Sequence, residues 1–382
     1  MRGNITRRGK SSWRIKFDVE TDANGRRRTR FVTVRGKRQD AERELTRLLG
    51  QADAGTLVEA TKVTVREFIQ DWFDSAHGLS PKTLERYRQL AEQQIFPHLG
   101  GIVLQKLKPA KVQEWHGALL KSGGMNGRPL SARTVGHAHR VLHRALERGV
   151  ENETLARNVA SVISPPRVEE DEIQILSPEE ITSVIHRLNG DELYVIAAIG
   201  LATGMRRGEL LAVRWVDCEL DAAAVRIERS LEETRAGLRF KPPKTKHGRR
   251  TVSLPPSAVS VLREHRRQQL ELRLQLGLGR PGPDVLVFSN PDGSPMSPDK
   301  LSRDWSRMCI ALGLPRVMLH ALRHTHVSAL IAAGVDVVTI SRRIGHSDPV
   351  VTLRRYAHLF NRKTDAAAAG AIEAALRTTS ER

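Results

Sequence analysis

The 382-residue sequence predicts a multidomain, mainly α protein with small β-sheets. An N-terminal three-stranded sheet with one helix should precede a helical domain and then a mixed α+β domain. Three observations carry this expectation. Apolar and charged residues alternate from Trp13 onward with the period of a half-buried strand. Residues 61–160 hold several amphipathic segments with recognisable helix starts. Ser164-Pro165-Pro166 and the acidic run 169–172 then interrupt every periodicity. The expected bounds are 1–60, 61–163, a linker over 164–172, and 173–382.

In the first segment Trp13, Ile15, Phe17 and Val19 alternate with Arg14, Lys16, Asp18 and Glu20. Asn24-Gly25 supplies a hairpin turn, and residues 26–34 form a second strand carrying Arg26, Arg27, Arg28 and Arg30. Ile5 to Arg8 reads as a short first strand, and Ala41, Leu45, Leu48 and Leu49 mark one face of a following helix. A sheet with one apolar and one basic face suits a DNA groove, with Arg14, Lys16, Arg26, Arg27, Arg28 and Arg30 as contacts. A solvated charged surface fits the same pattern.

In the second segment Thr64 and Glu67 form a capping box ahead of Val65, Phe68, Ile69 and Trp72. Ser80-Pro81 opens a helix that buries Leu84, Tyr87 and Leu90 and should end before Pro97. Pro109 opens a third with Val112, Trp115, Leu119 and Leu120 inward. Ser131 caps a fourth with Val135, Leu142 and Leu146 inward, and 121–129 is a Gly-rich loop. His137, His139 and His143 on the fourth helix do not share one face, and no Cys or carboxylate completes a metal set. They read as structural or phosphate-contacting residues on a helical clamp.

The third segment opens on Ser177-Pro178-Glu179-Glu180, an N-cap, a first-turn proline and a capping-box glutamate together. Gly204 sits at a turn, and Arg206 at the start of a helix, a favourable place to hold a phosphate. Residues 225–230 alternate as a strand, and 238–254 read as a hairpin around Lys244-Thr245-Lys246-His247-Gly248. A lysine at such a tip can act as a mobile point charge and proton donor. His320 and Arg323 fall on one helix face. Gly345-His346 leads through a short helix to Arg354-Arg355-Tyr356.

Composition bounds the partner. Lys plus Arg number 62 against 43 Asp plus Glu, a net charge of +19. Residues 1–60 hold 15 basic and 8 acidic residues, so the density is highest there. Arg outnumbers Lys, which fits bidentate phosphate binding or GC-rich coding equally. A large excess on a folded chain points to a polyanion, most often nucleic acid. Two cysteines, Cys218 and Cys309, make neither a disulfide framework nor a cysteine zinc site and suggest a reducing compartment. No apolar run reaches membrane-spanning length, and residues 1–10 lack the apolar stretch of a signal peptide.

The set Thr203-Gly204-x-Arg206-x-x-Glu209, Lys244-Thr245, His320-x-x-Arg323, Gly345-His346 and Tyr356 ten residues beyond, in this order, resembles the tyrosine recombinase (phage integrase) family. The resemblance covers about residues 173–365. The two preceding segments resemble the arm-binding and core-binding domains of its integrases. It implies that Tyr356 attacks a DNA phosphodiester and stays joined to the 3′ phosphate, which conserves bond energy for religation. It implies that Arg206 and Arg323 hold the non-bridging oxygens, that Lys244 protonates the departing 5′ oxygen, and that His320 serves proton transfer with the tyrosine. His346 would hydrogen-bond the phosphate. Such a cationic set needs no metal or other cofactor.

Around these positions Lys246 and Lys241 compete with Lys244, Arg207 reads as a surface or DNA contact, and Glu209 as a residue that orients an arginine or packs its helix. His324, His326 and His358 stand off the pattern and read as supporting or surface residues. Arg354 and Arg355 contact the DNA backbone or fix the tyrosine helix. Residues 366–376 are Ala-rich and helix-prone; in the family such a tail often docks on a neighbouring protomer, and a frayed terminal helix fits the same composition. The implied partners are double-stranded attachment sites and three further copies in a tetramer. A directionality factor or host DNA-bending protein is an accessory to consider, and the setting is the nucleoid of a bacterial cytoplasm. A type IB topoisomerase uses similar chemistry as a monomer, and a DNA-binding regulator would explain the charge without the catalytic set.

Overall fold

The computed structural model describes residues 3–21, 27–53, 57–58, 60–169, 175–243, 246–279, 281–314 and 318–360, with 370, 372 and 373. The chain forms two compact units, Met1–Glu169 and Glu170–Arg382.

The first unit begins with an antiparallel sheet of β1 (Gly3–Gly9), β2 (Ser12–Thr21) and β3 (Arg27–Arg35), packed on α1 (Arg38–Asp53). Period-2 alternation sends Ile15 and Phe17 into a core with Ala41 and Leu48. Register decides which cations share a face. Arg14 opposes Thr33 and Lys16 opposes Phe31, on the side away from α1, whereas Arg30 opposes Phe17. Cross-strand partners share a face, so Arg30 belongs to the helix-facing side and not to the outer basic one. Arg26 and the side chains of Arg27 and Arg28, like the Asn24-Gly25 turn, lie outside the described residues.

The helical part of this unit follows the caps. α2 (Val65–Ser75) starts on the Thr64–Glu67 capping box, with the hydroxyl accepting from the Glu67 amide and the carboxylate from the Thr64 amide. α3 (Pro81–Leu90) starts on Ser80. It does not end before Pro97: the chain widens into a π turn over Ala91–Ile95 and runs on as α4 (Phe96–Leu99). A proline has no N–H and crowds the preceding turn, and the extra residue of a π turn relieves both. α5 (Pro109–Ser122) and α6 (Ala132–Glu151) complete the bundle. On α5, Leu120 faces outward and His116 takes the inner position. His116 Nε2 lies 3.1 Å from His139 Nδ1, and His143 bonds Ser161, so two of the three α6 histidines serve packing.

The second unit packs α7 (Pro178–Arg187), α8 (Leu193–Thr203) and the single turn α9 (Arg207–Leu210) against small sheets. α7 has the expected Ser177–Glu180 capping box. The sheets correct the expected hairpin. β4 (Cys218–Glu219), β5 (Ala224–Ile227) and β8 (Arg250–Ser253) form one sheet, and β6 (Ser230–Thr234) and β7 (Gly237–Lys241) form another. The strands flanking residues 244–248 therefore pair with different partners. Gly237, at φ +112°, closes the tight β6–β7 turn, and Pro242-Pro243 cannot donate to a ladder, so pairing stops there.

The chain continues through α10 (Pro256–Gln275) and α11 (Pro298–Ala311), whose Trp305 is fully buried. It ends in α12 (Ala321–Ala332), α13 (Val337–Ile344) and α14 (Pro349–Tyr356). Among the described residues no helix is long and apolar enough to cross a membrane.

Candidate active site

Two left-handed glycines build the site. Gly204 (φ +62°) ends α8 and Gly345 (φ +68°) ends α13, each the helix C-cap that glycine adopts without strain. Both turns aim carbonyls at arginines. Arg323, 3% exposed, donates from Nη1 to Gly204 O and from Nη2 to Ile344 O, both at 2.7 Å. Arg206 donates from Nη2 to Gly345 O at 3.1 Å. The negative ends of α8 and α13 thus hold two cations side by side. A Cβ on Gly204 would come within 2.6 Å of the His326 ring, so the turn is also tightly packed.

Glu209 fixes Arg206 from below. Its carboxylate accepts from Arg206 Nη1 at 2.7 Å, from the Arg206 amide at 3.0 Å, and from Arg250 Nη2 at 3.0 Å. Burial alone would raise its pKa, but Arg250 and Arg206 overcome it and hold the carboxyl below the ordinary range. Glu209 is therefore an orienting anion between two arginines, with no free oxygen turned to a substrate.

The histidines carry the electrostatic signature of the site. His320, exposed at the start of α12, is pushed down to about 4 by desolvation, then by Arg323, Arg355 and Arg206. His346, half-buried, is pushed down to about 4 by burial, then by Arg323, Arg206 and Arg250. Arg323 and Arg206 are anchored on the carbonyls of Ile344 and Gly345, next to His346 in the chain, and the same two cations bear on both imidazoles. His346 Nδ1 pairs with the buried Thr352 hydroxyl at 2.8 Å, leaving Nε2 for a ligand. An anion bound here would relieve the mutual repulsion of these groups.

Tyr356 ends α14 in an apolar cluster with Val327, Ile331, Ile340 and Ile344 and is 1% exposed. Burial raises its phenol above the ordinary range, against Arg323 and Arg355, which lower it. Its hydroxyl lies 2.6 Å from His324 Nδ1. His324, set aside in the sequence as a supporting or surface residue, is buried and touches the candidate nucleophile. The signal that would have found it is its place one residue after Arg323, on the turn of α12 that faces α14.

Other positions fall away from the centre. Arg207 turns to α11, donating to Pro298 O and Ser302 Oγ and pairing with Asp299, so the surface or DNA-contact reading gives way to a packing role. Lys241 pairs with Glu232. Lys244 and the Lys246 side chain lie outside the described residues, as does nearly all of the 366–382 tail. His358 is exposed.

His326 gives a pH prediction. Arg343 Nε donates to its Nε2 at 3.0 Å, which leaves Nδ1–H to donate to Leu201 O at 2.7 Å and keeps the ring neutral. Burial, then Arg343, push it from 6.5 to about 4. Between those values the unfolded chain binds the extra proton, so stability falls as pH drops through the window. The expected loss from His326 is about 2 kcal/mol at pH 5 relative to pH 7. The thermal midpoint should fall between these conditions, and by less in a His326→Gln variant.

Residues 174–363 match the phage integrase family, and residues 64–120 match its N-terminal SAM-like domain. A XerC-like tyrosine recombinase of Caldanaerobacter subterraneus subsp. tengcongensis is 27% identical over 95% of this chain and 96% of its own. The integrase of Mycobacterium phage L5 is 26% identical over 79% and 77%. Among solved structures, the Tn1549 transposon integrase in complex with a circular intermediate DNA matches 81% of this chain and 99% of its own, at TM-score 0.67 and 19% identity. A lambda integrase tetramer bound to a Holliday junction matches 91% and 96%, at 0.54 and 15%.

Proposed function

The chain belongs to the phage integrase, or tyrosine recombinase, family, and from that premise we propose that Tyr356 is the nucleophile and that Arg206, Arg323, His320, His346 and Lys244 serve it. The protein is a site-specific recombinase, an enzyme that cleaves and rejoins DNA strands to integrate or excise a mobile element.

The observation that carries the assignment is two carbonyl-anchored arginines beside His346, with His320 and a buried tyrosine, both imidazoles being held neutral first by desolvation and then by these arginines. In the proposed reaction Tyr356 Oη forms a bond to phosphorus while the bond to the 5′ oxygen breaks. Arg206 and Arg323 stabilise the charge that builds on the non-bridging oxygens. His346 Nε2 donates to the same phosphate. Lys244 supplies the proton to the departing 5′ oxygen, and reversal of these steps rejoins the strand. His320 exchanges protons with the tyrosine side of the site.

The sheet of β1–β3 would contact arm-type DNA with its outer face, where Arg14 lies 5.4 Å from the Phe31 ring and Lys16 is exposed beside it. Residues 61–163 would clamp the core site. Charge supplies most of this affinity, which should fall steeply with salt. Assembly as a tetramer on paired attachment sites is the proposed working state, supported by the lambda integrase tetramer on a junction. A directionality factor or DNA-bending protein would act on the same complex in the bacterial cytoplasm.

The test is to trap the enzyme on nicked attachment-site duplexes and map the adduct. A 3′-phosphotyrosyl peptide containing Tyr356, on one sequence only, is the expected result. An adduct at another residue would overturn the site assignment. Relaxation of a plasmid lacking any attachment site would favour a topoisomerase.

A further inference from the structure

We propose that His324 is the proton acceptor for Tyr356, taking the phenol proton at Nδ1 as the strand is cleaved. The inference rests on Tyr356 being the nucleophile.

The geometry is that of a closed donor–acceptor pair. The Tyr356 hydroxyl and His324 Nδ1 are 2.6 Å apart, and both residues are buried, at 1% and 9% exposure. Assigning the ring hydrogen to Nε2 makes Nδ1 the acceptor and the phenol the donor. Val327, Ile331, Ile340 and Ile344 pack around the tyrosine. The hydroxyl is thus largely shielded from bulk water, and a phenol that burial makes less acidic needs a base already in contact. His320 does not make that contact. It is exposed, and its ring meets the His324 ring edge-on with centroids 4.8 Å apart.

The groups facing His324 favour its neutral form. His320 and Arg323 lie on its own helical turn, Arg355 and Tyr356 on α14, and His346 on the segment between α13 and α14. Burial first, and then His320, Arg355, Arg323 and His346, push the imidazole down to about 4, so it is a free base at neutral pH. Its proton affinity rises when the phosphate enters and screens the arginines. The step balances without another reactant. The Oη–H bond breaks and the proton goes to Nδ1. The Oη electron pair forms the bond to phosphorus, the bond from phosphorus to the 5′ oxygen breaks, and that oxygen takes a proton from a separate acid. Religation returns the proton from Nδ1 to Oη.

The experiment is single-turnover cleavage of a nicked attachment-site duplex by the full-length protein from pH 6 to 9.5, with the adduct mapped. His324→Asn keeps an acceptor near the Nδ1 position but no base. It should cleave about 100-fold more slowly at pH 7, the low end of what a general base contributes. Its rate should then climb with pH as hydroxide replaces the imidazole, closing most of the gap by pH 9.5. Wild type should stay nearly flat. His324→Asn at a wild-type rate, or lowered equally at every pH, would overturn the proposal and leave His324 a mere packing partner. Should His324→Asn not fold, nitrogen-15 NMR of the wild type decides: Nδ1 should appear unprotonated and move on Tyr356→Phe, and a protonated Nδ1 would overturn the assignment. A wild-type adduct at a residue other than Tyr356 would instead overturn the reading on which this one rests.

Discussion

Tyr356→Phe is expected to abolish the covalent adduct on a nicked attachment-site duplex while leaving affinity for that duplex within a few-fold of wild type. The two effects separate because they come from different parts of the molecule. The proposed chemistry needs an oxygen on residue 356, which phenylalanine lacks. Affinity comes from a net charge of +19 spread over the whole chain, most densely in residues 1–60. The phenol itself is 1% exposed and contributes no surface to a bound duplex in this conformation. Removing its hydroxyl also leaves His324 Nδ1 without its partner in an apolar setting. Orphaning a buried acceptor costs about 1–3 kcal/mol, so the variant should melt earlier than wild type yet bind normally. Gel-shift and melting measurements on the same preparation would read both. Residual adduct from the Phe variant would place the nucleophile elsewhere.

What was legible in the sequence followed from local chemistry. The Thr64–Glu67 and Ser177–Glu180 boxes set the starts of α2 and α7 because both halves of each reciprocal bond lie within four residues. Alternation from Trp13 to Phe17 fixed β2 because the pleat has only two faces. The motifs holding Arg206, His320, Gly345 and Tyr356 stand out in the sequence as an ordered set, and each of these four sits at an element end. What was missed needed information from distant strands or helices. The segment around Lys244 looked like a hairpin tip because it lies between two strand-like runs; only the pairing of β7 with β6 and of β8 with β5 shows that the runs part company. Arg30 belongs to the α1 side by register with Phe17, which composition does not encode. Arg207 looked free beside Arg206, yet α11 supplies Asp299, Pro298 and Ser302 from more than ninety residues away. His324 was passed over for the same reason: its partner is on α14.

Arg323 offers the second large effect. Its guanidinium joins two segments 140 residues apart, binding Gly204 O at the end of α8 and Ile344 O at the end of α13. Burial, then Arg206, push it down to about 9, so it remains a cation at neutral pH but an uncomfortable one. A bound phosphate would add a second anion beside Glu209, whose carboxylate is taken up by Arg206 and Arg250, and the transition state, with more charge on its oxygens, would stabilise the cation best. Arg323→Ala should therefore slow cleavage by about 100- to 1,000-fold, equivalent to losing roughly 3 kcal/mol of transition-state stabilisation from one preorganised donor. Part of any loss in Ala could come from slack in the two glycine turns, and Arg323→Lys separates the causes. Lysine keeps the charge but has no planar fork to span two carbonyls and a phosphate oxygen at once. The Lys variant should retain most of the DNA affinity and still cleave at least tenfold more slowly, and Arg207→Ala, whose guanidinium faces α11, should stay within a few-fold of wild type. Arg323→Lys cleaving at the wild-type rate would show that net charge alone, and not the anchored fork, is what the reaction requires.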